Sequence, residues 1–306
     1  NPMDWITEMK RILIEIPGAI KPEMKSLLEN LYRHGNPYGI SNDTRSDWSK
    51  GLNMKKLTNV GRTEVLLFVC CAQCFDPKDQ GAARSTAKIL KNLGIDFAII
   101  GDEGSCCGDL ANNTGEKGLY EELKDRNIQI FEKYGIKKII TTSPHCYNVF
   151  KNDYNLTGIE VTHYIELFVD LIKKQKLKIT KKINKKVVYH DPCYLGRYNN
   201  IYDDPRFILS SINMLKPVEF INKKENSFCC GGGGGGAFFE THSKPRLSEI
   251  RAEQAMQLSS EILAVACPFC RSMLDDAINT AGSRMQVRHI AELVNDAMEL
   301  EHTMGD

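Results

Sequence analysis

The chain has almost no excess charge. It carries 40 Lys and Arg against 39 Asp and Glu, a net +1, so nothing marks it for nucleic acid or an acidic membrane surface. It also lacks the run of roughly 18 apolar residues that a membrane span requires and a recognisable signal peptide. Both absences point to a cytoplasmic protein, with any membrane association made through partner subunits. No glycine-rich loop ends in Gly-Lys-Ser/Thr, and no spaced G-x-G-x-x-G directly follows a strand, which disfavours a nucleotide site. The first residues, Asn1-Pro2-Met3, place no Met at position 1. A processed start, or the C-terminal part of something longer, is the expectation.

What is abundant is cysteine. Eleven occur in 306 residues, an odd number grouped as Cys-Cys and Cys-x-x-Cys units. Without a secretory signal this reads as reduced thiols serving as ligands, not as a disulfide framework. The most unusual stretch is Ser227-Phe228-Cys229-Cys230 followed by six glycines, Gly231 to Gly236. Glycine adds nothing to a core and costs backbone entropy when ordered. Adjacent thiols running into such a tract point to a metal or metal–sulfur centre approached closely by main chain. Gly231, Gly232 and Gly233 would give that centre backbone room, with amides aimed at its sulfides. Alternatively, the tract floors a substrate channel.

Apolar content of 42% and charged content of 26% describe a globular chain long enough for two domains. Residues 1–60 read as a helical lead-in, with helices over Met3–Ile16 and Pro22–His34 broken by Pro17-Gly18 and Gly35-Asn36-Pro37. From residue 61, strands and helices alternate. Strands are expected at Val65–Val69, Asp96–Ile100, Lys138–Thr142 and Glu160–Thr162. Helices are expected at Ala82–Leu93, Glu116–Tyr134, Cys146–Asn152 and His163–Lys173. A Lys-rich linker, 173–186, closes the first unit. The order then recurs, with strands at Val187–His190, Val218–Ile221, Ile262–Ala266 and Gln286–Val287. The accompanying helices are Pro205–Leu215, Ser243–Ser259, Pro268–Thr280 and His289–Leu300. This alternation predicts an α/β fold with mostly parallel sheets.

The two units also align residue by residue. Cys71 and Cys193 are 122 apart, and the pairs Cys106-Cys107 and Cys229-Cys230 are offset by 123. Ser143-Pro144-His145-Cys146 and Cys267-Pro268-Phe269-Cys270 are offset by 124, and the segments beginning at Val161 and Val287 by 126. The slow drift is what changes in loop length produce, so the chain reads as a duplication of one α/β unit. The boundaries are 61–180 for the first copy and 181–306 for the second.

In the second copy Cys193, Cys229, Cys230, Cys267 and Cys270 follow C-x35-CC-x36-C-x2-C. Each falls where a strand ends, the edge at which open parallel sheets build their sites. Five thiolates exceed the four of structural zinc or of an ordinary cubane cluster. The spare thiolate implies a larger or irregular cluster, or a ligand that leaves during turnover. The matching set in the first copy is Cys71, Cys106, Cys107 and Cys146, with Ser143 in place of the fifth sulfur. Four thiolates suit a cubane 4Fe–4S cluster or a zinc ion. Cys70 reads as a small apolar packing residue, and Cys74 as a spectator or a substitute ligand. His190 precedes Cys193 and either orients the loop or donates a proton to a leaving thiolate. Arg197 is a candidate to hold an anionic substrate group. His145 is expected either to ligate metal in place of residue 143 or to line the first site. His163 and His289 stand at equivalent helix starts, which favours a shared structural contact.

This doubled pattern resembles the cysteine-rich CCG domain of heterodisulfide reductase catalytic subunits. The same family includes the iron–sulfur subunits of glycolate and lactate oxidation. It also includes the K subunit of the membrane complex linked to dissimilatory sulfite reduction, and subunits that pass electrons from electron-transfer flavoprotein to quinone. The resemblance covers residues 61–306. The stretch Glu29-Asn30-Leu31 with Gly35-Asn36-Pro37-Tyr38-Gly39 is similar to the segment that follows a two-cluster ferredoxin domain in longer relatives.

The resemblance implies two fused Rossmann-like units related by a pseudo-two-fold axis. It further implies a noncubane 4Fe–4S cluster on Cys193, Cys229, Cys230, Cys267 and Cys270 that reduces a disulfide or trisulfide. The implied partners are ferredoxin-like, flavoprotein or membrane electron-transfer subunits and a thiol or disulfide substrate. Ser143 departs from the pattern and makes the first site a relay or structural site. Two other readings stay open: a pure relay to quinone, and a zinc-stabilised scaffold.

Overall fold

The computed structural model describes residues 2–240 and 244–299. Two parallel sheets organise it. The first contains β1 (Val65–Phe68), β2 (Lys138–Thr141) and β3 (Glu160–His163), in the order β1-β2-β3. The second contains β4 (Lys186–Tyr189), β5 (Lys216–Val218), β6 (Ile262–Val265) and β7 (Gln286–His289), in the order β5-β4-β6-β7. The inner strands are short apolar runs such as Leu66-Leu67-Phe68 and Ile262-Leu263-Ala264-Val265. All of these residues are buried, as expected for parallel sheets covered on both faces by helices.

The strand expected at Asp96–Ile100 narrows to two parallel bridges, Leu66↔Ala98 and Lys56↔Ile99. The amides of Leu67 and Ala98 donate hydrogen bonds of 2.9 and 3.0 Å to the carbonyls of Ala98 and Val65. Gly94 and Gly101 turn the chain at either end with φ of 65° and 75°, which leaves little length to pair. With this stretch counted, its order is 96–100, β1, β2, β3, matching β5, β4, β6, β7 position for position. The strand expected at Val218–Ile221 lies slightly earlier, at Lys216–Val218. Its Pro217 is tolerated there because β5 is an edge.

The helices show how the copies join. The helix Gln80–Asn92 packs on the closing helix Ile290–Ala297, and its counterpart Asp203–Ser211 packs on Tyr164–Lys173. Contacts that repeat with the copies exchanged are the mark of a two-fold arrangement. Close approach is required in the first pair, since a Cβ on Gly81 would sit 2.6 Å from the Glu292 carboxylate. His163 and His289 both cap the helices that follow them, each with its own amide bonded to Glu166 or Glu292. The helix expected at Ser243–Ser259 is found at Leu247–Gln257, and Ser243 lies outside the described residues. The helix expected at His289–Leu300 is found at Ile290–Ala297, and Leu300 also lies outside the described residues.

The N-terminal segment packs unevenly. The helix Pro22–His34 buries Leu27, Leu28 and Leu31, and Trp48 is buried beyond it. The helix Pro2–Ile14 instead exposes Trp5, Met9 and Ile12. Among the described residues no helix is long and apolar enough to cross a membrane.

Candidate metal centres

Every cysteine lies beyond a strand's C-terminal end, in the loop or the start of the helix that follows; Cys71, Cys74, Cys146 and Cys270 are helical. All eleven are free thiols, and nine are buried; Cys193 and Cys229 are partly open. In the second copy the sulfurs form one chain of neighbours within hydrogen-bonding reach: Cys193, Cys229, Cys230, Cys270 and Cys267. The five expected residues therefore do meet. In the first copy the chain runs Cys71, Cys106, Cys107, Cys146, and it continues to Cys70. The Cys70 sulfur stands beside Cys146 and brings this cluster of thiols to five. Ser143 is buried and accepts from the His145 amide as a helix cap. Cys74 points its thiol at the Val69 carbonyl, 3.6 Å away.

The protonation chemistry of these thiols fits a multivalent cation. Donation to a neighbouring sulfur, together with burial, pushes Cys71, Cys146, Cys193 and Cys270 well above the usual thiol range. Cys107 is held down, to about 7, by bonds from Cys106 and Cys146. Cys229 is held at about 2 by Cys193, Cys230 and the Gly231 amide. So many crowded thiols cannot all ionise alone. A bound metal centre would permit it.

Fixed donors and cations support each set. The Gly231 amide, at a φ of 83°, donates to the Cys229 sulfur at 3.3 Å. The tract then folds on itself through Gly236 N to Gly233 O and Ala237 N to Gly232 O. A Cβ on Gly232 would press Met273 and Phe269 at 3.0 and 3.2 Å, whereas Gly233 faces open space. Arg45, from the N-terminal segment, is buried with Nη2 at 3.5 Å from Cys71 Sγ and 3.0 Å from the Ser105 carbonyl. Desolvation opposes its charge, but Cys71, Cys74 and Cys106 more than offset that penalty.

Around the second set, Arg251 is fully buried and donates to His190 Nδ1 at 3.2 Å, with its guanidinium 3.3 Å from the Phe220 ring centroid. His190 has a ring nitrogen within 4.8 Å of the Cys230 and Cys270 sulfurs. Burial and Arg251 pull its pKa down to about 3, so it stands there as a neutral imidazole. Arg206 grips Asp191 at 2.7 and 2.9 Å and Glu219 at 2.7 and 3.0 Å, fixing the loop that carries Cys193. Arg197 is exposed and ties this loop to the next through the Ser227 carbonyl at 2.9 Å.

His145 does not face the first set. Its Nδ1 lies 2.8 Å from buried Asp109, and its ring comes within interacting reach of the Cys267 sulfur of the second set. The ring is clamped between Tyr194 and Phe269, with centroids at 4.2 and 4.8 Å. Burial opposes a charge on it, yet Asp109 and Cys267 together hold it well above the usual imidazole range.

Cavities open beside these groups, among them the following two. One of about 450 Å³ is lined by Arg11, Asp109, Asn113, Asn148, Tyr194 and Tyr198. The other, about 470 Å³ and largely apolar, is lined by Lys10, Leu13, Met24, Gly234, Gly236 and Phe239. The glycine tract therefore borders a cavity as well as the cysteines.

Residues 65–151 and 187–275 each match the cysteine-rich domain CCG. The chain belongs to this cysteine-rich CCG-domain family. It is 34% identical over 295 residues to the probable iron-sulfur-binding oxidoreductase FadF of Bacillus subtilis, covering 94% of this chain and 42% of that protein. The EtfAB:quinone oxidoreductase of Syntrophomonas wolfei is also 34% identical, over 310 residues, covering 96% and 43%. One subunit of the dihydromethanophenazine:CoB–CoM heterodisulfide reductase of Methanosarcina mazei is 34% identical over 277 residues, covering 88% and 66%. The chain thus spans less than half the length of the first two. A hypothetical protein from Helicobacter pylori shares the fold, with a TM-score of 0.61 at 11% identity over 97% of this chain and 57% of that one.

Arg45, Arg206, Arg251 and Asp109 were not singled out from the sequence. Arg251 was legible: with Ser248, Ala252 and Ala255 it completes a buried stripe at helical spacing, and an arginine there must meet something polar or anionic. Asp109 stands two residues after the Cys106-Cys107 pair. Arg45 lies in an irregular polar stretch and carries no local signal.

Proposed function

We propose that the chain is an iron–sulfur electron-transfer subunit whose second cysteine set holds a noncubane 4Fe–4S cluster at which a sulfur–sulfur bond is reduced. The observation that carries this is the meeting of Cys193, Cys229, Cys230, Cys267 and Cys270 at one crevice, with Cys193 and Cys229 the partly open members. Five thiolates with one open side leave room for a sulfur substrate. A cluster bound there supplies the electrons; the chain supplies the rest. Arg206 and Asp191 hold the Cys193 loop, the Gly231 amide supports Cys229, and the buried surroundings keep water away. His190, accepting from Arg251 through Nδ1, has its other ring nitrogen free to donate toward sulfur. Arg197, exposed on the Cys193 loop, would meet an anionic substrate group. Reduction of a disulfide takes two electrons and two protons and releases two thiols. Cys71, Cys106, Cys107 and Cys146, with Cys70 as an additional thiolate, would hold a second cluster in the first set, which would relay electrons from a ferredoxin-like or flavoprotein partner subunit.

A second reading, a relay between a flavoprotein and quinone, is favoured by the likeness to the EtfAB:quinone oxidoreductase. Electron paramagnetic resonance of anaerobically purified protein separates the two. An oxidised-state signal that shifts on adding a thiol, and that Cys230→Ser abolishes, supports disulfide reduction. A cluster signal indifferent to thiol favours the relay. Zinc without iron refutes both and leaves a scaffold.

A further inference from the structure

Two adjacent residues touch both cysteine sets. Cys146 has its sulfur against Cys107 and Cys70 in the first set. The next residue back in the chain, His145, puts its ring on Cys267 in the second. Its orientation is over-determined. Asp109 takes Nδ1, which leaves Nε2 for the sulfur, and Tyr194 and Phe269 fix the plane. Asp109 is itself anchored beside the first set, two residues past Cys107, and accepts a second bond from Asn113 at 2.8 Å. Asn113 in turn bonds the Tyr194 hydroxyl at 2.8 Å. A buried hydrogen-bonded group of this kind is costly unless every member is satisfied, and here the satisfying partner comes from the other copy of the duplicated unit. At the equivalent place in the second copy stands Phe269, which can donate nothing, so the bridge runs one way only.

We propose that His145 is the positioning residue through which the first unit sets the electron affinity of the second site and couples the two. It rests on the reading above that both sets hold iron–sulfur clusters. A donor bonded to a ligating sulfur stabilises the more negative, reduced state of the centre. The path from Cys146 through one peptide bond and the His145 ring to Cys267 is a short, mostly covalent link between the sets. In the step it serves, one electron leaves the first site, which is oxidised, and arrives at the second, which is reduced, with no bond or proton changing partner.

The test is the distribution of a single electron between the two sites. Wild-type protein, His145→Phe and His145→Gln are each titrated with dithionite to one electron per chain, and the two signals are quantified by electron paramagnetic resonance. Phenylalanine keeps a ring between Tyr194 and Phe269 but cannot donate. In that variant, with iron unchanged, the ratio of reduced second site to reduced first site should fall about tenfold, the typical effect of one hydrogen bond to a charged group. That is a drop of about 59 mV in a one-electron couple. Glutamine, which carries an amide donor but no charge, should recover part of the ratio. An unchanged ratio in His145→Phe overturns the proposal, as does a Gln variant as low as the Phe variant. Loss of second-site iron in His145→Phe overturns it too, because His145 would then hold the site instead of tuning it. If the wild-type protein lacks two clusters, the functional reading has failed before any variant is made.

Discussion

Arg45 is the sharpest single handle on the first site. It comes from the N-terminal segment, is buried among Cys71, Phe75 and Ser105, and has no carboxylate partner among its described contacts. Its charge is therefore balanced by sulfur. Nη2 lies 3.5 Å from Cys71 Sγ. With an effective dielectric of about 20, unit charges about 4 Å apart contribute about 4 kcal/mol, an upper bound for an electron that would be shared with the other sulfurs. For a one-electron couple that bound is a potential raised by roughly 170 mV. Arg45→Met should thus lower the first-site midpoint potential by about 100 mV, and Arg45→Lys by much less. Redox titration followed by electron paramagnetic resonance reads this directly. A shift under about 20 mV with iron intact would show that the guanidinium is screened, and the low-dielectric premise would fail. A rise in potential would refute the electrostatic argument outright.

Three further outcomes follow from the same contacts. Cys70→Ala should change the first-site signal or its iron content, whereas Cys74→Ala should leave both alone; the reverse would return Cys70 to packing. Arg206→Met leaves the buried Asp191 carboxylate without its cation, with the Lys224 amide still donating to it, so urea unfolding of the loaded protein should show a loss of about 3 kcal/mol. His163 is held at about 3 by burial, so the folded chain binds one proton fewer than the unfolded chain between that value and the usual imidazole range. Its contribution to stability is present above pH 6.5 and is lost as pH falls toward 3. In His163→Ser, which keeps a capping oxygen, the slope of unfolding free energy against pH between 4 and 6 should fall by about 1.4 kcal/mol per pH unit; an unchanged slope would mean His163 is protonated in the fold.

The elements that depended on local pattern were legible. Runs such as Val65–Phe68 and Ile262–Val265 announce buried parallel strands, and the repeated cysteines announce the duplication. What pattern cannot give is the third dimension across copies. The first unit's Asp96–Ile100 stretch has the right residues for a strand but pairs at two bridges only, because Gly94 and Gly101 cut it short. Cys70 reads as packing by its place beside Cys71, and its closeness to Cys146 emerges only when β1 and β2 are neighbours. His145 sits in the first unit's Ser143-Pro144-His145-Cys146 turn, so the sequence directs it to that unit's site. The two-fold packing turns it to the other one. Arg45 shows the same limit from outside the repeat, since a residue from an irregular lead-in can reach a buried thiol without any periodic signature.

The most direct test is the metal content of the anaerobically purified chain, measured together with acid-labile sulfide. The account predicts iron and sulfide sufficient for two four-iron clusters, both lost when Cys107 and Cys230 are replaced by Ser together. It also predicts that the second cluster alone is lost in Cys230→Ser. Stoichiometric zinc with neither iron nor sulfide, or clusters that survive both substitutions, would contradict it.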